Sequence, residues 1–219
     1  MKEKEFICFV FSFFMTFLFL FSKEKEEEEK KKKKDAIKYI KEYAPFAIEE
    51  MEHFGIPASI KLGQGILESS CGQSTLAKST NNHFGIKCGK NWDGEIYYHD
   101  DDLPKECFRK YKSVRESFSD HSKFLKKPRY SKLFFLKKKD YQSWAIELKN
   151  AGYATSLKYS DQLIFQIEKY SLWIFDKENS QGIEKRIGKY LTKIEMGKIK
   201  KTIFESFFEK IYLFFKLKK

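Results

Sequence analysis

A chain of 219 residues, 42% hydrophobic and 34% charged, is long enough for one domain with a sizeable core plus appendages. Its formal charge of +12 is unevenly placed: residues 1–34 carry nine basic against seven acidic residues, 35–176 carry 22 against 19, and 177–219 carry 12 against five. Only four of the 43 basic residues are Arg, whereas readers of bases and phosphates lean on bidentate Arg, so the composition argues against nucleic acid as a partner. A/T-rich codon usage would account for the abundance of Lys, Phe and Ile as readily as an anionic lipid or wall polymer would. Of the four cysteines, Cys8, Cys71, Cys88 and Cys107, no two form a C-x-x-C pair, and no His cluster accompanies them, which excludes a zinc site of ordinary spacing.

Residues 1–5 are charged, and Phe6 to Phe21 is almost unbroken Phe, Leu, Ile, Val and Met. Such a segment implies export, with residues 1–22 either a signal peptide or a membrane anchor; no clear small-x-small cleavage site follows. Residues 23–34 are a Glu/Lys run with nothing to bury, read as a solvated linker or a single exposed helix. From Asp35 the composition becomes globular. Ile37, Ile40, Tyr43 and Ala44 predict an amphipathic helix, Pro45 a second helix running to His53, and Pro57 a third.

That third helix is the informative one. Ile60, Gly63, Ile66 and Leu67 recur at helical spacing and Gly72 marks the stop, which places Glu68 in the last turn. The negative end of the helix dipole and partial burial there both raise a carboxyl pKa, and a carboxylic acid still protonated near neutrality is what protonates a glycosidic leaving oxygen. An ordinary surface glutamate is the competing reading. Asn81 and Asn82 supply turn chemistry before Phe84 and Ile86. Glu95–His99 and Glu106–Tyr111 alternate in part around an acidic loop, predicting a β-hairpin. Cys88 and Cys107 flank that hairpin, either as a disulfide or as two reduced thiols in a small core. Ser113-Val114-Arg115-Glu116 has capping-box form and predicts a helix from Val114 to about Lys126 with Phe118, His121 and Leu125 inward. Further helices fit 141–150, stopped by Gly152, and 157–175. Residues 177–219 form a basic tail whose Ile203, Phe204, Phe207, Phe208, Ile211, Tyr212 and Phe215 fall on one helical stripe, either docked on the domain or lying at a membrane or wall interface.

Ala58-Ser-Ile-Lys-Leu-Gly-Gln-Gly-Ile-Leu-Glu-Ser69, followed by Asn81-Asn-His-Phe-Gly-Ile-Lys87, resembles the glucosaminidase family of peptidoglycan hydrolases, glycoside hydrolase family 73, which includes the flagellum-associated muramidase domain. The likeness continues through Gly94 to Tyr111 and Gly152-Tyr-Ala-Thr155, so it spans roughly residues 36–176. The resemblance implies an α+β fold, a mainly helical lysozyme-like domain with a small β-hairpin lobe, over residues 35–176. It implies cleavage of β-1,4 glycosidic bonds in peptidoglycan glycan strands, as an endo-β-N-acetylglucosaminidase or a muramidase, in the cell envelope and without cofactor or metal. Glu68 matches the family's catalytic glutamate. The second acidic residue of the family comes from the β-lobe, where this chain offers Asp100, Asp101, Asp102 and Glu95; Asp101 is the candidate, although the family's Thr-x-Glu-Tyr wording is absent and the substrate's own acetamido group would make a second carboxylate unnecessary. Tyr153 and Tyr159 match groove aromatics, Tyr153 with a catalytic part, while Asn82, His83 and Phe84 are expected at the cleft floor in contact with substrate. His83 is not expected to be a general base, since nothing in the sequence sets a carboxylate beside it. The alternative function is a catalytically silent wall-binding or scaffold protein; a third reading is a membrane-associated basic protein acting through its ends, and membrane association through the N-terminal segment and the basic tail is expected beside the hydrolase reading as well.

Overall fold

The computed structural model describes residues 3–101, 103–190 and 192–193, with side chains from Ser22 onward. The chain divides into two compact units, 1–40 and 41–219, and helix α1, Glu3–Phe54, runs through the division. In the first unit the Glu/Lys run is helical and exposed. Lys30 pairs with Glu26 and Lys32 with Glu28, each at 2.7 Å and one turn apart, which suits a helix that has no apolar face to bury. Among the described residues no helix is long and apolar enough to cross a membrane. The side chains of the apolar leader, and the Phe/Ile stripe beyond residue 193, lie outside the described residues.

In the second unit α1 continues through Pro45 where the sequence predicts a fresh start. A proline removes one backbone donor, but Ala44, Ala47, Ile48 and Met51 are all buried on the same face, and their packing outweighs the lost bond. Helix α2, Ala58–Ser69, is buried on nearly every side. Gly63 allows this: a Cβ there would come within 2.8 Å of Leu163 Cδ1 and 3.0 Å of Ile167 Cγ1. Pro57 offers α2 no side-chain cap. The first-turn donors go instead to Asp176 from a distant part of the chain, with Ser59 N–H to Oδ1 at 2.8 Å and Ser59 Oγ to Oδ2 at 2.6 Å.

Helix α3, Thr75–Thr80, begins at Ser74, whose side chain accepts from Ala77 N–H. Strands β1, Ile96–His99, and β2, Glu106–Arg109, form an antiparallel pair with Tyr98 opposite Cys107 and His99 opposite Glu106. A disulfide joins Cys107 to Cys88 in the incoming segment, with Cα atoms 5.5 Å apart. Helix α4, Val114–Leu125, starts at Ser113, which accepts from Glu116 N–H, while Glu116 reaches back to Lys112 N–H at 3.0 Å. Phe118, His121 and Leu125 face inward. A 3-10 helix over Pro128–Phe135, which has no clear sequence signal, leads to α5, Tyr141–Asn150.

Helix α6, Tyr159–Lys169, is shorter than the 157–175 helix the sequence predicts. Ser171 takes a left-handed conformation at φ 52° and the chain tightens into a 3-10 helix over Leu172–Lys177, which turns Leu172 and Phe175 inward and delivers Asp176 to α2. Residues 183–190 are again helical. Ile187 and Tyr190 are buried, Tyr190 donating to Tyr170 O at 2.7 Å, so the packed fold extends past the start of the basic tail at 177. The fold is α+β, and the described residues are mostly helical with one two-stranded sheet.

Candidate active site

Glu68 lies one residue from the end of α2, where Ser70, Cys71 and Gly72 all take left-handed conformations and stop the helix. Ser69 pins this end, donating to Gly65 O at 2.5 Å and accepting from Gly72 N–H at 2.7 Å. The Glu68 side chain is half-buried, and its Oε1 is fully buried without a hydrogen-bond partner. Desolvation therefore pushes its pKa from 4.5 up to about 7; the Tyr159 hydroxyl pulls the other way by hydrogen-bonding the carboxyl, and the charge of Asp101 pushes it further up. Asp101 sits in the hairpin turn, 3.7 Å from Lys87 Nζ. The β-lobe thus brings a second carboxylate within electrostatic reach of the first.

Tyr159 is 3% exposed. Its hydroxyl accepts from Gln64 Nε2 at 2.8 Å, which leaves its own proton for Glu68. Gln64 precedes Glu68 by four residues on the same face of α2, so one helix supplies both the acid and the group that orients its partner. Tyr153 stacks on Tyr159, ring centroids 5.5 Å apart at 28°. Its hydroxyl lies 3.1 Å from His121 Nε2, and burial lifts its pKa well above the usual tyrosine value.

The remaining expected contacts sit behind this group. Asn82, 1% exposed, accepts from Ile86 N–H at 3.1 Å and donates to Ile86 O and Arg109 O, both at 2.9 Å, so it ties the loop to β2. His83, 3% exposed, meets Tyr43 edge-on at 5.1 Å, and burial pushes its pKa down to about 4, so it is neutral. Phe84, equally buried, stacks on His121 at 4.0 Å and 7°. All three are held by buried contacts and present almost no surface to a sugar. Two buried groups went unread in the sequence, Lys61 and Gln64; the only signal for either is spacing, since 61, 64 and 68 share one helix face. Among the described residues no three His, Cys, Asp or Glu side chains gather as metal ligands would.

Comparison with known proteins identifies the family and the fold. The glucosaminidase family, described as mannosyl-glycoprotein endo-beta-N-acetylglucosaminidase, matches residues 44–172. Peptidoglycan hydrolase FlgJ of Vibrio parahaemolyticus is 30% identical over 138 residues, covering 58% of this chain and 44% of that protein. Exo-glucosaminidase LytG of Bacillus subtilis is 34% identical over 140 residues, covering 58% of this chain and 49% of that protein. The chain thus spans about half the length of these curated relatives. Among solved structures, a peptidoglycan hydrolase from Sphingomonas sp. A1 aligns with TM-score 0.57 and 29% identity over 64% of this chain and 92% of that one. The glycoside hydrolase domain of Salmonella typhimurium FlgJ aligns with TM-score 0.54 and 27% identity over 72% of this chain and 98% of that one. With more than half of its residues matched and its fold shared by these lysozyme-like domains, the chain belongs to the glucosaminidase family, glycoside hydrolase family 73.

Proposed function

We propose that this domain hydrolyses β-1,4 glycosidic bonds in peptidoglycan glycan strands of the cell envelope, as an endo-β-N-acetylglucosaminidase with Glu68 as general acid. The observation that carries the reading is the state of Glu68: a half-buried carboxyl raised to about 7, with Oε1 buried and unpartnered and the Tyr159 hydroxyl acting on the group. Near neutrality such a group holds a proton it can give away. It passes that proton to the leaving oxygen as the bond to the anomeric carbon breaks. Tyr159 then stabilises the carboxylate left behind.

A water molecule adds to the anomeric carbon and loses a proton to Asp101, so one sugar gains the hydroxyl and the other the hydrogen. The role of Asp101 is supported by its place in the hairpin turn and by the effect of its charge on Glu68. Muramidase cleavage of the adjacent bond needs the same groups and a shifted register of the glycan. Purified wall treated with the protein should release muropeptides carrying a new N-acetylglucosamine reducing end by mass analysis. Glu68→Gln keeps the shape without the proton and should lower release by at least about 100-fold with the fold intact. Release within a few-fold of the parent would remove Glu68 from the reaction.

A further inference from the structure

Behind Tyr153 lies a buried polar chain that plays no part in the reaction as described. Lys61, on α2 and fully buried, places Nζ 2.6 Å from Phe118 O, 2.9 Å from Ser122 Oγ and 3.0 Å from His121 Nδ1. A cation held inside a protein costs several kcal/mol unless every donor is matched. Phe118 O and Ser122 Oγ accept from Nζ, and an ammonium has a third N–H left for His121 Nδ1. Ser122 Oγ donates to Phe118 O at 3.3 Å and so faces Lys61 as an acceptor. Burial pushes the Lys61 pKa down to about 7, and the negative charges of Glu50 from α1 and Asp120 from α4 work against that shift and favour the ammonium.

Donation from Lys61 fixes the tautomer of His121. With Nδ1 accepting, the ring proton is on Nε2, which donates to the Tyr153 oxygen at 3.1 Å. The imidazole stays neutral because burial and the Lys61 charge both push its pKa down. Its plane is set by the Phe84 ring stacked at 4.0 Å. The Tyr153 hydroxyl, already receiving one hydrogen bond, then has its own proton to place. The acceptor the protein offers is Phe84 O at 3.5 Å, at the outer limit of a hydrogen bond.

We propose that Lys61 and His121 are positioning residues that aim the Tyr153 hydroxyl, which receives from His121 and gives its proton to an oxygen of the bound glycan. Only the last step, donation to a glycan, rests on the proposed hydrolase activity. The tautomer can therefore be tested apart from it. Nitrogen-15 NMR of the full chain should show the His121 ring protonated at Nε2 with Nδ1 as acceptor; a ring protonated at Nδ1 overturns the relay whatever the activity. On purified wall, His121→Phe and Tyr153→Phe should each lower kcat by about 100-fold with KM little changed, the size expected for one aimed donor. The double variant should be no worse than Tyr153→Phe alone, because His121 acts through Tyr153. His121→Gln, which keeps one acceptor and one donor, should recover most of the turnover. Losses that multiply in the double variant, or a folded His121→Gln as inactive as His121→Phe, would overturn the assignment. If the parent releases no muropeptides, the hydrolase reading fails while the NMR result still decides the relay.

Discussion

At the scale of single residues, the chemistry and the stability of Glu68 pull in opposite directions. Because burial raises its folded pKa from 4.5 to about 7, the acid form needed for hydrolysis is lost as pH rises through about 7, and turnover should fall there on the alkaline limb of its pH profile. The folded chain binds this proton more tightly than the unfolded chain does, so the native state loses stability as pH rises from 4.5 through about 7. Glu68→Gln removes the penalty. It should melt at a higher temperature than the parent at pH 8, by the equivalent of about 1–3 kcal/mol, with the gap closing toward pH 5. Equal melting at both pH values would mean that the carboxylate is well solvated. Glu68 was legible in the sequence because its neighbours fix helix, register and stop within one short stretch. Lys61 and His121 were not legible as a pair, since their contact joins α2 to α4 across 60 residues and neither local pattern announces the other. Tyr159 was placed at the site by its motif, but that its hydroxyl, and not its ring face, is what reaches the site depends on Gln64.

At the scale of elements, α2 is held at its C-terminal end by its own neighbours Ser69, Gly65 and Gly72 and at its N-terminal end by a part of the chain far from it. Asp176 serves as its N-terminal cap across 117 residues, and burial pushes that carboxyl up to about 6 even though Ser59 and the Ala58 backbone hydrogen-bond it. Asp176→Ala would strand the first-turn donors of α2 and should cost about 1–3 kcal/mol in denaturant unfolding, more than an ordinary surface substitution. A change below half a kcal/mol, the rough level of neutral surface variants, would show that water replaces the cap. The hairpin is held differently. The Cys88–Cys107 link closes a loop of 19 residues in sequence, and replacing both cysteines by Ala should cost about 3 kcal/mol by loop entropy and loosen the turn that carries Asp101. Non-reducing peptide mapping of exported protein should recover the link, and two freely alkylated thiols would count against it. The hairpin and the start of α4 were readable from alternation and a capping box. The break at Ser171 was not, because nothing in 157–175 interrupts the helical pattern; the interruption arises where Leu172, Phe175 and Asp176 find partners in tertiary packing.

At the scale of the whole molecule, charge runs and composition divide the chain at 35 and 177, and packing moves the second of these boundaries. Tyr190 packs on Phe175 with ring centroids 5.4 Å apart and donates to Tyr170 O, so a cut at 177 removes part of the core. Truncation after Lys193 should leave thermal unfolding and the hydrolysis of soluble glycan fragments near those of the full chain. Truncation after Lys177 should lower the melting temperature by several degrees, as loss of two buried side chains costs about 2–4 kcal/mol in a chain of this size. Identical melting of the two truncations would show that residues 183–190 are dispensable. Composition could not reveal this boundary, since Ile187 and Tyr190 are sparse among charged neighbours and only their depth in the fold separates them from the basic residues around them.

Lys61, Gln64 and Glu68 form a narrow polar stripe along α2, whose remaining surface is mostly apolar, with Ile60, Leu62 and Ile66 buried. Each residue of a helix turns the next by about 100°. Gain or loss of one residue between 61 and 68 would swing the ammonium or the carboxyl into the hydrocarbon interior and face leucine or isoleucine toward the sugar. A change of length cannot be absorbed here, whereas the exposed turn at 89–91 can lengthen without rotating anything behind it. The spacing of these three residues is therefore under a stricter constraint than the identity of most residues between them.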